Sequence, residues 1–375
     1  MTFKIQTLNN ISPLGLDRLP RKSYEVASEL NNPDAIMLRS HNMHDMEIAD
    51  SVRAIGRAGA GVNNIPVDKM SKRGVPVFNA PGANANAVKE LVLAGLFLAS
   101  RNIVQAWDYV QKLDGTDEEL KKQVEDGKKK YKGMELPGRT LGVIGLGAIG
   151  VQVANAARDL GMTVLGYDPQ ITVSNAWRLH AGVDQALSVD ELLSRCDFVS
   201  IHVPLVDGTK GLINEQRLKI MRKNAVLLNF SRDAIVDEAA VLAALDSGHL
   251  GSYVCDFPTK ASKNHPKVVA LPHLGASTDE AEDNCAIMVA DQLREYLEIG
   301  NIRNSVNFPE AIMPPTDDAH RICVVNANVP NMVGQITSTL ARHELNIADL
   351  LNKSKGDIAY TLVDVDSACA EAAIE

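Results

Sequence analysis

Short apolar runs alternate with polar-punctuated stretches of helical period through the first part of the chain, as in "AIMLRS", "VRAIGRAG" and "VPVFNAP". That alternation predicts strands and helices in turn, the mark of a parallel α/β sheet. From Asn86 the pattern "NAVKELVLAGLFLASRNIVQAWDYVQ" keeps a helical period with neither Gly-Pro nor Asn-Gly to stop it. One long helix is expected there, too long for a crossover and suited to a domain link or a dimer contact. After "ELPGRT", the segment "LGVIGLGAIGVQVANAARDLGMTVLGYDP" reads as strand, glycine turn, amphipathic helix and a second strand ending in an acid. Further strands are legible at "DFVSIHVP", "AVLLNFSR", "GSYVCDF" and "KVVALPHLG". The loop "VCDFPTKASKNHP" therefore lies at strand ends, which in an open α/β sheet face the ligand crevice. Past Ile312, "MPPTDDAH" reads as a linker, followed by strand "RICVVNANV", helix "NMVGQITSTLARHEL" and strands "NIADLLNKS" and "DIAYTLVDVD". The final "SACAEAAIE" is expected to open a helix, leaving a βαββ module without its closing strand and suggesting truncation.

A length of 375 residues predicts two or three domains. Apolar content of 45% and charged content of 23% are those of a soluble globular protein and exclude disordered and membrane classes. "LVLAGLFLAS", bracketed by Glu90 and Arg101, is too short to span a bilayer and reads as a buried helix. A net charge of -9 argues against nucleic-acid binding, which needs clustered Lys and Arg. The basic run Lys128 to Lys132 follows acidic segments and reads as a solvated face. The N-terminus has no sustained apolar core after a basic start, so no signal peptide is expected. Five cysteines (Cys196, Cys255, Cys285, Cys323, Cys369) show no C-x-x-C pair and no zinc spacing, so no metal is expected. They read as buried thiols in a reducing cytoplasm.

Gly145, Gly147 and Gly150 form G-x-G-x-x-G between a strand and a helix. The first serves the turn, the second lets backbone approach a pyrophosphate, and the third allows close helix–strand packing, with the helix N-terminus favouring phosphate charge. Asp168 follows at a strand end, where a carboxylate accepts from a ribose 2′-hydroxyl and repels a 2′-phosphate, favouring NAD over NADP. Arg232, just after "AVLLNF", offers a planar fork for a carboxylate. His273, after Pro272 at another strand end, can exchange the proton that oxidation of a hydroxyl releases.

"LGVIGLGAIG…YDP", "NFSRDAIVD" and "PHLGAST" together resemble the D-isomer-specific 2-hydroxyacid dehydrogenases. "LRSHNMHD", "GRAGAGVNNIPVDKMSKRGVPVFNAPGANANAVKELV" and the C-terminal segment are similar to the branch that acts on D-3-phosphoglycerate, and the match runs over nearly the whole chain. The resemblance implies two Rossmann-like, doubly wound parallel-sheet domains: a discontinuous substrate domain (1–85 and 276–308) and an NAD-binding domain (86–275). A partial ferredoxin-like ACT domain, a small ligand-sensing fold, is implied at 319–375. It further implies that Arg232 orients the substrate and His273 is the general acid/base. Arg39, Ser40 and Arg57 match phosphoglycerate-holding positions, and Ala60, Gly61 and Val62 match a carboxylate-binding loop. Cofactor contacts are implied at Ala148, Ile149, Asp168, Val203, Ser231, Asp256 and Gly275, and effector contacts for L-serine at Asn328 and Asn346. A cytoplasmic homodimer or homotetramer acting in serine synthesis is implied as well.

Four departures mark this chain. Asp233 follows the arginine where the family has Gly, and Ala85 stands where threonine is common. Asn326 and Asn331 replace a usual His and Gly in the C-terminal segment. Thr259, Lys260 and Ala261 occupy the place of the glutamate that partners the histidine, which leaves Asp256 as a candidate substitute. Two rival readings stand beside phosphoglycerate oxidation: a dehydrogenase of glyoxylate, hydroxypyruvate or another unphosphorylated acid, and an NAD(H)-binding sensor or scaffold with weakened catalysis.

Overall fold

A computed structural model describes residues 2–368. Its contacts divide the chain into two compact units, one from Ala85–Thr278 and one joining the residues up to Asn84 with those from Asp279 onward.

The Ala85–Thr278 unit holds a parallel seven-stranded sheet. With the strands numbered along the whole chain, these are β6 (Thr140–Ile144), β7 (Thr163–Tyr167), β8 (Val183–Gln185), β9 (Phe198–Ile201), β10 (Ala225–Asn229), β11 (Leu250–Cys255) and β12 (Val268–Ala270). Their spatial order is β12-β11-β10-β9-β6-β7-β8. Every residue of β9 and β10 is buried, because helices cover both faces and each face takes alternate side chains. Ala225 and Leu227 join the cluster of Leu192, Leu193 and Leu245, whereas Val226 and Leu228 join that of Val92, Leu96 and Val143. The order reverses between β6 and β9, so the carboxyl ends of these strands flank a topological switch point.

The long helix expected from Asn86 is two helices, Ala85–Ser100 and Ile103–Gln111. Asn102 adopts φ 52°, a left-handed conformation that asparagine tolerates without glycine's help. A returning strand of chain explains the stop: Met134 donates its N–H to the Ser100 carbonyl at 2.8 Å. Gly133 passes so close to Ser100 that a β-carbon there would lie 2.3 Å from the same oxygen.

The other unit has a parallel five-stranded sheet from β1 (Phe3–Leu8), β2 (Tyr24–Ala27), β3 (Ala35–Leu38), β4 (Ala54–Arg57) and β5 (Val77–Phe78), ordered β2-β1-β3-β4-β5. The helix Asp279–Ile299 packs on it, burying Val289 and Leu293 against Gly56. The same unit carries an antiparallel sheet of β13 (His320–Ala327), β14 (Ile347–Lys355) and β15 (Ile358–Val365), with β15 central. Tyr360 and Leu362 enter the core with Leu293 and Phe308. Val363 and Val365 pack with Leu340 of the helix Met332–Arg342.

The "MPPTDDAH" segment is a clamped strap rather than a free linker. Arg321 forks onto Asp364 at 2.6 and 2.7 Å and donates to the carbonyls of Ile299, Met313 and Pro314. Asp364 also accepts from Thr316 N at 3.0 Å, and Tyr360 Oη donates to Gly300 O at 2.6 Å. Cys196, Cys255 and Cys285 are buried as expected, but Cys323 is exposed, and Cys369 lies outside the described residues, as does most of the "SACAEAAIE" segment. Lys128 to Lys130 and Lys132 are exposed. No helix among the described residues is long and apolar enough to cross a membrane.

Candidate functional site

At the switch point the chain leaves β6 through Gly145, whose φ of 93° favours glycine. A β-carbon there would strike the His202 carbonyl at 2.8 Å, and one on Gly150 would lie 1.9 Å from Gly145 O. A β-carbon on Gly147 would meet nothing within 4 Å. Gly147 is the N-cap of the helix Ala148–Asp159 and makes no side-chain cap. The first amides of that helix, at Ala148 and Ile149, have no acceptor among the described residues, as a pyrophosphate cradle needs.

Asp168 holds this turn from the end of β7. Its Oδ2 accepts from Leu146 N at 2.8 Å and its Oδ1 from Gln170 N at 2.9 Å, and each oxygen keeps a lone pair for a ribose hydroxyl. Val203 lines the Gly145 turn. His202, which the sequence did not single out, completes the wall: its N–H donates to Ile144 O at 2.7 Å and its Nε2 lies 2.8 Å from Ser200 Oγ. Burial pushes its imidazole pKa down to about 4.

Arg232 and His273 sit on two turns joined by buried groups. Asn229, fully buried at the end of β10, accepts from Ser231 N at 3.1 Å and donates to Arg232 O at 2.8 Å. Its own carbonyl accepts from Asp256 N at 3.3 Å. Asp256, 1% exposed, accepts from Leu274 N at 3.1 Å and Gly275 N at 2.9 Å. Sequence reasoning missed Asn229, whose only signal was a polar residue closing an apolar strand. Ser231 Oγ donates to Ile201 O at 2.8 Å, tying the arginine turn to β9. Arg232 itself is extended and exposed. Asp233 spends its carboxylate on Ala234 N at 2.8 Å, and no positive φ demands glycine there.

His273 adopts φ 54° and sets its ring edge-on to Phe257, with centroids 5.1 Å apart. Both oxygens of Asp256 reach the backbone after the histidine, so Asp256 clamps the turn instead of pairing with the imidazole. Among the described residues no carboxylate lies within hydrogen-bonding distance of that ring. Lys260 is exposed. Its loop is fixed by neighbours, Thr259 Oγ1 donating to Glu238 Oε2 at 2.7 Å and Thr259 N to Ser262 Oγ at 3.0 Å.

The other unit holds the remaining candidates at the end of its sheet. Arg57, closing β4, donates Nε to Arg39 O at 2.9 Å, and its guanidinium lies against Gly59, where a β-carbon would be 2.2 Å from Nη1. Ser40 N donates to Asn9 Oδ1 at 3.2 Å. Asn79 fixes the next loop by donating to Ala60 O at 2.6 Å. The N–H groups of Ala60, Gly61 and Val62 have no protein acceptor among the described residues, an arrangement suited to an anion. Ala85 is buried and starts a helix of the Ala85–Thr278 unit.

Asn328 and Asn346 do not meet. Asn328 pairs with Asp357 O and Gly356 O before β15, whereas Asn346 O accepts from Asp366 N after it. Eight residues of strand separate those ends, roughly 25 Å at about 3.3 Å per residue. Asn331 takes φ 69° at the helix N-cap, so asparagine does there what glycine would. Asn326 bonds to Ala327 O at 2.7 Å. No cluster of metal-ligating side chains occurs among the described residues.

Residues 94–275 match the family model described as "D-isomer specific 2-hydroxyacid dehydrogenase, NAD binding domain". The chain is 33% identical over 344 residues to a D-3-phosphoglycerate dehydrogenase of Methanocaldococcus jannaschii, covering 89% of this chain and 63% of that protein. It is 33% identical to the Haemophilus influenzae protein of that name, covering 88% and 79%, and 30% identical to that of Dictyostelium discoideum, covering 97% and 92%. It thus spans less than two thirds of the first relative's length. Among solved structures, the NAD+-bound 3-phosphoglycerate dehydrogenase of Entamoeba histolytica superposes with TM-score 0.62 at 25% identity, covering 82% of this chain and 99% of that one.

Proposed function

This chain belongs to the D-isomer-specific 2-hydroxyacid dehydrogenases and its cofactor is NAD, and from that premise we propose that it oxidises the 2-hydroxyl of D-3-phosphoglycerate to 3-phosphohydroxypyruvate. The observation that carries the reading is the coupling of Arg232 and His273 through Asn229 and Asp256, at the carboxyl edge of the sheet that bears the glycine turn. The residues of the turn fit the cofactor: Gly147 presents no side chain to the phosphates, the amides of Ala148 and Ile149 are left without a protein acceptor among the described residues, and Asp168 offers acceptors for the ribose. When bound, NAD accepts the hydride that leaves C2.

The protein's own groups do the rest. The Arg232 fork holds the substrate carboxylate and the forming keto oxygen, and His273 takes the hydroxyl proton. Phe257 backs the imidazole on one side, and the Asp256 clamp fixes the turn that presents it. Arg39 and Arg57 receive the phosphate, and the amides of Ala60, Gly61 and Val62 receive carboxylate charge. With Thr259, Lys260 and Ala261 across the glutamate's place, the imidazole works without a carboxylate partner among the described residues. Opposite placement of Asn328 and Asn346 favours an L-serine site made from two copies of the chain in a dimer or tetramer. A role in serine synthesis in the cytoplasm follows from the same substrate.

Initial rates of NADH formation with D-3-phosphoglycerate, D-glycerate and other unphosphorylated 2-hydroxy acids test the reading. A kcat/KM at least tenfold higher for the phosphorylated acid is expected. Equal values would move the assignment to an unphosphorylated substrate, and NADH binding with no turnover on any of them would leave a sensor.

A further inference from the structure

Arg39 does not stand open to an incoming phosphate. Glu282, in the first turn of the helix Asp279–Ile299, sets Oε1 2.5 Å from Arg39 Nη1. Both side chains remain partly exposed, 35% for the arginine and 42% for the glutamate, so the pair can open without a desolvated charge being left behind. Arg57 belongs to the same group through its bond to the Arg39 carbonyl. Cys285, one turn along the helix from Glu282, feels all three charges: burial raises its thiol pKa most, the two arginines oppose that, and Glu282 adds to it. Two cations and one anion thus act on the same thiol.

We propose that Glu282 is a specificity-determining residue that competes with the substrate's phosphate for Arg39. The inference rests on Arg39 being the phosphate-binding cation of the proposed function. A phosphate dianion entering beside Arg39 meets the Glu282 carboxylate at a few ångströms and must displace it. A ligand with an uncharged tail leaves the ion pair intact and meets no repulsion. Glu282 therefore narrows the margin by which the phosphorylated acid outcompetes its unphosphorylated counterpart. Two charges against one at about 6 Å, screened as in bulk water with a dielectric of about 80, correspond to an effect of about tenfold in binding.

Glu282→Gln keeps the shape and removes the charge. Glu280→Gln removes the same charge from an exposed residue of the same helix turn and controls for net charge. KM and kcat are measured for 3-phosphohydroxypyruvate and hydroxypyruvate in the NADH-consuming direction, beside calorimetric binding of each acid to the NADH-loaded protein. The expected result is a fall of about tenfold in KM and Kd for the phosphorylated acid in Glu282→Gln, with the ratio of the two acids' KM values shifted by the same factor and kcat for the phosphorylated acid kept within about twofold. Glu280→Gln should leave both ratios where they are. An unchanged ratio in Glu282→Gln overturns the proposal, and does so without touching the substrate assignment if the wild type prefers the phosphorylated acid. A wild type that rejects the phosphorylated acid overturns the substrate assignment. In that case gain of its binding in Glu282→Gln still supports the competition, and continued rejection overturns it.

Discussion

Asp256→Asn is the sharpest perturbation of the clamp. The carboxylate is 1% exposed, and each oxygen accepts one amide, from Leu274 at 3.1 Å and Gly275 at 2.9 Å. Asparagine keeps the volume but turns one acceptor into a donor facing a buried N–H. One charge-assisted bond is lost, about 1.5–3 kcal/mol, and the stranded amide makes the loss larger, so a destabilisation of roughly 2–4 kcal/mol is expected. The bonds also hold His273 at φ 54°, a conformation that costs a non-glycine residue on the order of 1 kcal/mol. Part of the population should therefore release the turn, with kcat falling about 10- to 100-fold. Urea unfolding reads the stability, and the pH–rate profile separates two roles. A clamp predicts a profile lowered at every pH without moving along the pH axis, whereas a direct imidazole partner predicts a displaced profile. Wild-type stability and kcat in Asp256→Asn would refute the reasoning.

Other perturbations reach the remaining parts of the account. Asp168→Ser removes both the ribose acceptor and the bond to Leu146 N, so KM for NAD should rise about tenfold and the preference over NADP should shrink by a similar factor or more, read from initial rates with each cofactor. His202 has a folded pKa of about 4, below the ordinary histidine value of about 6.5. The unfolded chain therefore binds the extra proton first, and the stability from the neutral ring is complete above about pH 6.5 and lost as pH falls from about 6.5 to about 4. That loss amounts to at most about 3–4 kcal/mol, and His202→Asn should flatten this slope in denaturant unfolding followed between pH 4 and 7. Arg321→Met strands the buried Asp364, two strap carbonyls and the Ile299 carbonyl at the helix end. It should cost on the order of 3–5 kcal/mol, with Arg321→Met/Asp364→Asn recovering part of it in urea titrations.

What the sequence revealed follows the range over which each residue acts. The glycine fingerprint was legible because its demands are local: a positive φ at Gly145, a close approach at Gly150 and an acid one strand later. Arg232 and His273 were legible as polar residues ending apolar strands. The break at Asn102 was not, because it comes from chain returning through Gly133 and Met134, and asparagine adopts the left-handed turn with no sequence warning. The strap before β13 read as a linker because its proline-rich composition says nothing of Arg321 and Asp364, which are 43 positions apart. Asp256 was found as the only carboxylate in its loop, but its direction depends on where the Leu274–Gly275 backbone passes. The separation of Asn328 and Asn346 could have been worked out from strand length alone. Glu282 was invisible, one acid among several in "DEAED", until folding set it against Arg39.

The central claim concerns one proton and one hydride. D-3-phosphoglycerate deuterated at C2 is supplied with NAD, and the cofactor product is analysed by mass spectrometry for wild type and His273→Ala. The account predicts deuterium in the reduced nicotinamide with wild type and a turnover lower by about 10²- to 10⁴-fold in His273→Ala. Reduced cofactor without deuterium, or a His273→Ala rate equal to wild type, would contradict it.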